Sequence, residues 1–348
     1  MPTFRAKDLE ALTSAIFEAA GSPDDVAARL GQALVTSNLM GVDSHGVVQI
    51  PLYVQWVREG QVKPAVEIEI VRETPNIAVV DGHWGFGQVT AQKGMQLAIK
   101  KAKQHQISLV GLVNCNHIGR LGEYTMMAAE KGLIGITVAN AGPEEVAPFG
   151  GAERIFDTNP ISVAVPAGKM HPFLLDYATS ACAEGKLRVA SNKGASIPEG
   201  WILDKDGSPS TDPRDFYEGG VILPFGGHKG YALALLVDLL GGALTCAGCT
   251  CLPEYGGGNG VVMGAIDVEA FRPLDEFAEN ADRLFTRVKQ SKTIPGFEEI
   301  LIPGEPEFRQ LEKRKRDGIP VDDTTWGKIL DVAGELRVDV DAVLTRSD

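Results

Sequence analysis

Asp43-Ser44-His45-Gly46 sets a hydroxyl and an imidazole side by side between a carboxylate and a glycine. An unperturbed histidine titrates near neutral pH, so His45 is suited to give or take a proton at a carbon–oxygen bond. Ser44, its sequence neighbour, need not bond to it as the serine of a hydrolase triad would. Three further junctions carry groups of the same kind. Asn114-Cys115-Asn116-His117-Ile118-Gly119-Arg120-Leu121 follows one apolar run, and Asp176-Tyr177-Ala178-Thr179-Ser180 follows another, with Lys186 a little beyond. His228-Lys229 precedes a long apolar stretch. Binding groups collect on loops held by a rigid scaffold. In the first of these junctions Gly119, Arg120 and Leu121 would open a helix, offering backbone N–H groups and one cation to a pyrophosphate. A plainer role is open to each histidine as well, capping its loop through a hydrogen bond.

Other chemistries lack their signatures. There is no G-x-S-x-G elbow, no P-loop and no H-E-x-x-H. Gly82-x-x-Gly85-x-Gly87 falls short of a dinucleotide fingerprint, because Thr90 stands at the third glycine position and no acidic residue follows about twenty residues on. A turn with positive φ angles accounts for those glycines. Cys246, Cys249 and Cys251 form a C-x2-C-x-C cluster that could be a thiolate site or small buried residues in a turn. With no second pair at finger spacing, no metal is expected there.

The elements that must position these groups are drawn from 348 residues, 44% of them apolar and 40 of them glycine, enough for two or three structural units. A net charge of −13 would repel a phosphate backbone or an anionic membrane surface, so neither nucleic acid nor membrane is an expected partner. The first residues mix charges and hold no export signal, and five cysteines suit a reducing compartment, so a cytoplasmic location is expected. "YALALLVDLLGGALTCAG" is the longest apolar tract, but Asp238 and two glycines within it favour a buried helix over a membrane span.

Ser22-Pro23-Asp24-Asp25 has the form of a helix start, with Ser22 as cap, and that helix should run to about Leu39. Leu9, Leu12, Ile16 and Phe17 before it, and Ile50, Tyr53, Val54 and Val57 after it, recur at helical spacing. From about residue 76 strands and helices alternate: "IAVVDG", "VTAQKGMQLAIKKAKQH", "ISLVGLVN", "LGEYTMMAAEKG", "LIGITVAN", "ISVAVPAG", "FLLDYATS", then the long apolar helix and "NGVVMGAIDVEAF". Polar helices return in the tail from about residue 304. The expected architecture is α/β, with residues 1–70 and 300–348 as one helical layer and 71–299 as the cofactor- and substrate-binding region.

"DSHGVVQIPLYVQWVREGQ", "FGQVTAQKGM", "NHIGRLGEY", "VAPFGG", "FDTNP", "LLDYATS", "HKGYALALLVDLLGGAL" and "LIPGEPE" together, in order over nearly the whole chain, resemble the type 2 malate/L-lactate dehydrogenase family, most of all its hydroxycarboxylate dehydrogenase B branch. The resemblance implies a non-Rossmann, sulfolactate-dehydrogenase-like fold, with a mixed-sheet nucleotide domain. It also implies a homodimer and an NAD(P)-dependent exchange between small-molecule 2-oxo and 2-hydroxy acids, aromatic ones included. By the same resemblance His45 is the acid/base beside the nicotinamide with Ser44 as helper. His117 is the alternative base, and Lys186, standing where the imine-reducing members place an aspartate relay, is a further catalytic candidate by position.

Carried over residue by residue, the cofactor contacts fall on His45, Gly119, Arg120, Leu121, Leu175, Asp176, Tyr177, Ala178, Thr179, His228, Gly304 and Glu305. Substrate contacts fall on Gln49, Tyr53 and Arg120. Members that use the 2′-phosphorylated nucleotide carry arginines where this chain has Glu305 and Glu307, so NADH is expected over NADPH, which remains open. Where many members grip the substrate carboxylate with the arginine of S-H-G-x-x-R, this chain has Gln49, a neutral amide that cannot form the bidentate pair. Rival readings are a reductase of cyclic imines or diketo sugar acids, or a malate- or ureidoglycolate-type dehydrogenase, on the same scaffold. A rival outside enzymology is a zinc- or ligand-binding protein built on the cysteines.

Overall fold

The structure, a computed structural model, describes residues 1–346. The chain opens with β1 (Thr3–Phe4), α1 (Ala6–Ala19), α2 (Asp24–Leu39) and α3 (Ile50–Arg58), then β2 (Glu69–Glu73), β3 (Ile77–Asp81), α4 (Gly87–His105) and β4 (Ile107–Val113). There follow α5 (Gly122–Ala129), β5 (Leu133–Ala139), β6 (Ile161–Val165), β7 (Phe173–Tyr177), α6 (Glu184–Lys193), β8 (Ile202–Leu203), β9 (Pro209–Ser210), α7 (Arg214–Tyr217) and β10 (Val221–Ile222). The last elements are α8 (His228–Val237), β11 (Val261–Asp267), α9 (Leu274–Lys289), α10 (Glu305–Asp317), β12 (Ile319–Pro320), α11 (Asp323–Glu335) and α12 (Val340–Arg346).

The terminal helices cannot bury their apolar stripes alone, so they share a core. Leu9, Leu12, Ile16 and Phe17 of α1 meet Leu30 and Leu34 of α2, Ile50, Tyr53 and Val54 of α3, and Ile329 and Ala333 of α11. Each such large side chain contributes about 1.5–3 kcal/mol by leaving water. β1 pairs antiparallel with β12 and ties the two ends of the chain together.

The central sheet has the order β2-β3-β4-β11-β5-β6-β7. Only β3 and β4 run parallel, around α4, and the other neighbours are antiparallel, so the fold is a mixed α/β sheet. Ala78, Val80, Val110 and Leu112 point to Ala91, Met95, Ala98 and Ala102 of α4 in a second core. The alternate residues Ile77, Ile107 and Leu109 point the other way and are exposed.

Several expectations are corrected here. The serine cap of α2 does not form: Pro23, at φ −58° and ψ 154°, occupies the cap position, and Ser22 Oγ is buried without a hydrogen-bond partner. Around Gly82 the left-handed residues are His83 and Trp84. The glycines are needed instead for close approach, since a Cβ on Gly87 would lie 2.1 Å from the Asn116 carbonyl oxygen. The long apolar helix is not buried: α8 passes into a π-helical stretch, Asp238–Leu244, and Leu235, Leu236, Leu239 and Leu244 are exposed. Asp238, however, is deeply buried and accepts hydrogen bonds from Asn140 Nδ2, Asn159 Nδ2 and Thr250 N, each at 3.0 Å. Within residues 71–299 a further core packs Val146, Phe156, Leu187, Ile202, Phe216 and Ile222 around the small sheet β10-β8-β9.

Candidate active site

A cavity of about 820 Å³ lies where the helical layer meets the strand ends. Its size falls within the range of small-molecule sites. It is lined by Ser44, His45, Gln49, His117, Gly119, Arg120, Leu121, Asp176, Tyr177, Ala178 and Lys186 among the residues singled out from the sequence. Tyr53, Leu175, Thr179, His228, Gly304 and Glu305 are not part of that lining.

The Asp43–His45 segment is a single 3₁₀ turn after α2, and two residues far apart in sequence hold it. Asn38, buried in the last turn of α2, donates from Nδ2 to Asp43 Oδ1 (2.6 Å) and accepts at Oδ1 from Val47 N–H (2.8 Å). Gly46 is obligatory beside it, because a Cβ there would lie 2.2 Å from Asn38 Oδ1. From α10, Arg314 grips Asp43 with both terminal nitrogens, at 2.5 and 2.9 Å, and also donates to the Asn38 carbonyl. Within this clamp Ser44 Oγ lies 3.0 Å from His45 Nδ1, and Nε2 is left for a ligand. Gln49 Nε2 donates to the Ser44 carbonyl at 2.7 Å, so its amide nitrogen is already committed to the turn. Arg314→Met should lower turnover about tenfold, the worth of one charge-assisted hydrogen bond, with a smaller change in the KM for nucleotide. Steady-state kinetics on the variant would read both.

His117 arrives from the other side, on the loop after β4. Asn116 anchors that loop by donating to the carbonyls of Trp84 (2.9 Å) and Gly85 (3.1 Å). His117 Nδ1 lies 2.6 Å from Tyr53 Oη, and Gln88 Nε2 donates to the same oxygen at 2.8 Å. The His45 and His117 rings stand 5.6 Å apart, centre to centre. Burial, reinforced by Arg120, lowers His45 to about 4, and burial together with His45 lowers His117 to about 3. Both rings are therefore neutral at pH 7 in the resting protein.

Arg120 is 6% exposed, and its Nε and Nη1 have no hydrogen-bond partner. Asp176 Oδ2 is 3.9 Å from Nη1 and takes its hydrogen bond from Gly122 N–H instead, at 2.8 Å. Burial raises Asp176 to about 6, against the pull of Arg120. A buried guanidinium with unsatisfied donors is costly unless an anion completes it. At the start of α5, beside Gly119 and Leu121, it suits either a phosphate or a carboxylate, so the residues present fit both a dinucleotide and an acid substrate.

Lys186 is exposed at the cavity edge, its Nζ 5.8 Å from the centre of the Trp201 ring. His228 begins α8 and packs edge-on against Phe149. Glu305 is tied up: Lys289 Nζ reaches both carboxylate oxygens at 2.7 Å, and Ile302 N–H and Arg309 also donate to it. Against the effect of burial, these donors hold its carboxyl at about 2. Glu307, two residues on, lines the cavity instead.

Asn38, Gln88 and Arg314 were not singled out from the sequence. Gln88 stood there only as a letter of "FGQVTAQKGM". Leu52 and Trp56, which line the cavity on the face of α3 that follows Gln49, were missed too, although their spacing from it is helical.

Residues 4–330 match the family model of malate/L-lactate dehydrogenase. A malate dehydrogenase of Pyrococcus horikoshii is 41% identical over 336 residues, 93% of this chain and 92% of that one. Hydroxycarboxylate dehydrogenase B of Escherichia coli is 36% identical over 341 residues, 96% of this chain and 94% of that one. The solved sulfolactate dehydrogenase of Methanocaldococcus jannaschii superposes with a TM-score of 0.90 at 38% identity, covering 98% of this chain and 99% of the other.

Proposed function

The chain belongs to the malate/L-lactate dehydrogenase family, which makes it an oxidoreductase of 2-hydroxy acids, and from that premise we propose that it interconverts 2-oxo and 2-hydroxy monocarboxylic acids with NADH. One observation carries the reading: a neutral histidine pair shares a cavity with a buried arginine whose Nε and Nη1 have no hydrogen-bond partner. The nicotinamide, when bound, supplies the hydride. His45 Nε2 gives the proton to the nascent alkoxide, or takes it in the oxidative direction, and Ser44 orients the ring through Nδ1. Arg120 takes the substrate carboxylate. A second carboxylate would meet Gln49, which is neutral and already bonded to the turn, so monoacids are favoured over malate. Leu52 and Trp56 offer the substrate side chain an apolar wall suited to an aromatic or branched group.

NADH is favoured because Glu307 lines the cavity and would repel a ribose 2′-phosphate. With its carboxylate bound to Lys289 and Arg309, Glu305 is the weaker candidate for that role. Glu307→Arg should raise the NADPH/NADH ratio of kcat/KM about tenfold, as one charge-assisted hydrogen bond allows. An unchanged ratio would place the ribose elsewhere.

No helix of the described residues is long and apolar enough to cross a membrane. A cytoplasmic homodimer fits the free cysteines and the exposed apolar residues on α8 and the outer face of β3 and β4. Light scattering should then give twice the chain mass of 37.1 kDa, and a monomer mass at micromolar concentration would refute the dimer.

The functional reading is tested by loss of NADH absorbance with phenylpyruvate, pyruvate, 2-oxoglutarate and a cyclic imino acid, beside an NADPH control. Turnover of phenylpyruvate above 2-oxoglutarate is expected. Turnover of the imine alone would overturn the hydroxy-acid assignment.

A further inference from the structure

We infer that His117 acts as a fixed hydrogen-bond donor, presenting Nε2–H to the substrate carbonyl oxygen, and that Tyr53 and Gln88 are positioning residues that lock it in that tautomer. The inference rests on the cavity being a hydroxy-acid site.

Direction follows from which groups can only donate. The Gln88 amide nitrogen, 2.8 Å from Tyr53 Oη, has hydrogens and no lone pair to offer, so the phenol oxygen accepts there. Tyr53 is 2% exposed, and its own hydrogen must find an acceptor or forfeit a hydrogen bond inside the fold. His117 Nδ1, at 2.6 Å, is that acceptor. A ring nitrogen that accepts carries no hydrogen, so the neutral imidazole holds its one hydrogen on Nε2. Gln88 is itself 2% exposed at the first turn of α4, where Gly87 packs against the carbonyls of Asn116 and His117. The orienting amide and the histidine it controls are thus fixed to each other through backbone contact.

Two consequences separate His117 from His45. Nδ1 of His117 is committed to the phenol, and Nε2 cannot accept a substrate proton while it holds its own hydrogen. Losing that hydrogen would draw the phenol proton onto Nδ1 and leave a tyrosinate, which burial of Tyr53 opposes by pushing its phenol well above the ordinary value. His117 therefore polarises the carbonyl without ionising, in the manner of a neutral electrophilic imidazole. Proton exchange with the substrate falls to His45, whose Nδ1 partner is a hydroxyl able to donate or accept as the ring changes charge. Two rings 5.6 Å apart can then cooperate without both carrying charge.

The experiment is nitrogen NMR on the full-length protein labelled with ¹⁵N-histidine, without substrate, at pH 7. The chain has six histidines, and His117 is assigned by its loss in His117→Gln or, should that variant not fold, by substituting the other five one at a time. The expected pattern is a protonated Nε2 and an unprotonated Nδ1. Tyr53→Phe and Gln88→Leu should each let the Nδ1–H form appear and lower kcat about tenfold, with less change in the KM for the oxo acid. A wild-type ring protonated at Nδ1, or at both nitrogens, would overturn the inference and mean that the Gln88 amide lies the other way round. The NMR pattern needs no substrate, so its presence alongside failure of every oxo acid to turn over would sink the functional reading, and with it the role toward a carbonyl, while the locked tautomer stands.

Discussion

His45→Ala should lower kcat for 2-oxo acid reduction about a hundred- to ten-thousandfold, the span expected when a positioned general acid is lost. The nucleotide Kd should change much less, because Gly119 and Leu121 stay in place on a loop that His45 does not support. Fluorescence titration of bound NADH beside stopped-flow reduction of phenylpyruvate would separate the two effects. His45→Asn keeps a polar group next to Ser44 and should be nearly as impaired, since an amide cannot deliver a proton at neutral pH. Activity within tenfold of wild type in either variant would move the acid/base role to His117 and undo the division of labour between the rings.

The pH dependence of the reaction adds a condition to this role. In the resting protein burial and Arg120 hold His45 at about 4, so at pH 7 it is ready to accept a proton from a hydroxy acid. Reduction needs the protonated ring. A substrate carboxylate that neutralises Arg120 removes one of the two effects opposing protonation, so an anionic oxo acid brings part of its own proton donor into being. Neutral carbonyl compounds lack that effect and should be reduced slowly even where they fit.

Much of this was legible in the sequence, though unevenly. The strands of the main sheet announce themselves by alternation, as in β3 and β4, where Ala78, Val80, Val110 and Leu112 turn inward and Ile77 and Leu109 outward. Sheet order did not follow from pattern: β11 inserts between β4 and β5 from more than a hundred residues downstream, and nothing local encodes that pairing. The two-residue strands β8, β9 and β10 are too short to show a period. Apolarity of "ALALLVDLL" was plain, but composition cannot say whether the chain itself covers those leucines.

At the site, residue types were readable and partnerships were not. Histidine at a loop, with a glycine one or two residues on, marked His45 and His117. That Tyr53 would face His117 depends on how α3 packs against the loop after β4, a contact across 64 residues. Glu305 was assigned to the ribose because its charge is suitable, yet Lys289 of α9, an element the sequence reading did not identify, occupies it. Asp43 was visible as part of the motif, but its reason for being there is Arg314, 271 residues away.

Arg120→Leu tests the other half of the site, and its effect should rival that of His45→Ala. Truncating one partner of a buried, hydrogen-bonded charge pair costs about 2–5 kcal/mol, so kcat/KM for an oxo acid should fall by roughly thirty- to several-thousandfold. Arg120→Lys should recover only part of this, since an ammonium cannot reproduce the planar fork. A second readout moves in the opposite sense. Removing the guanidinium takes away one of the influences that lower His45, so the His45 pKa seen in the pH profile of kcat/KM should rise above about 4, even as the rate collapses. A general loss of structure would not raise that pKa selectively, and loss of nucleotide binding alone would leave it unchanged. If Arg120→Leu keeps its affinity for the oxo acid, the carboxylate is held elsewhere, and Lys186 at the cavity edge is the cation to substitute next.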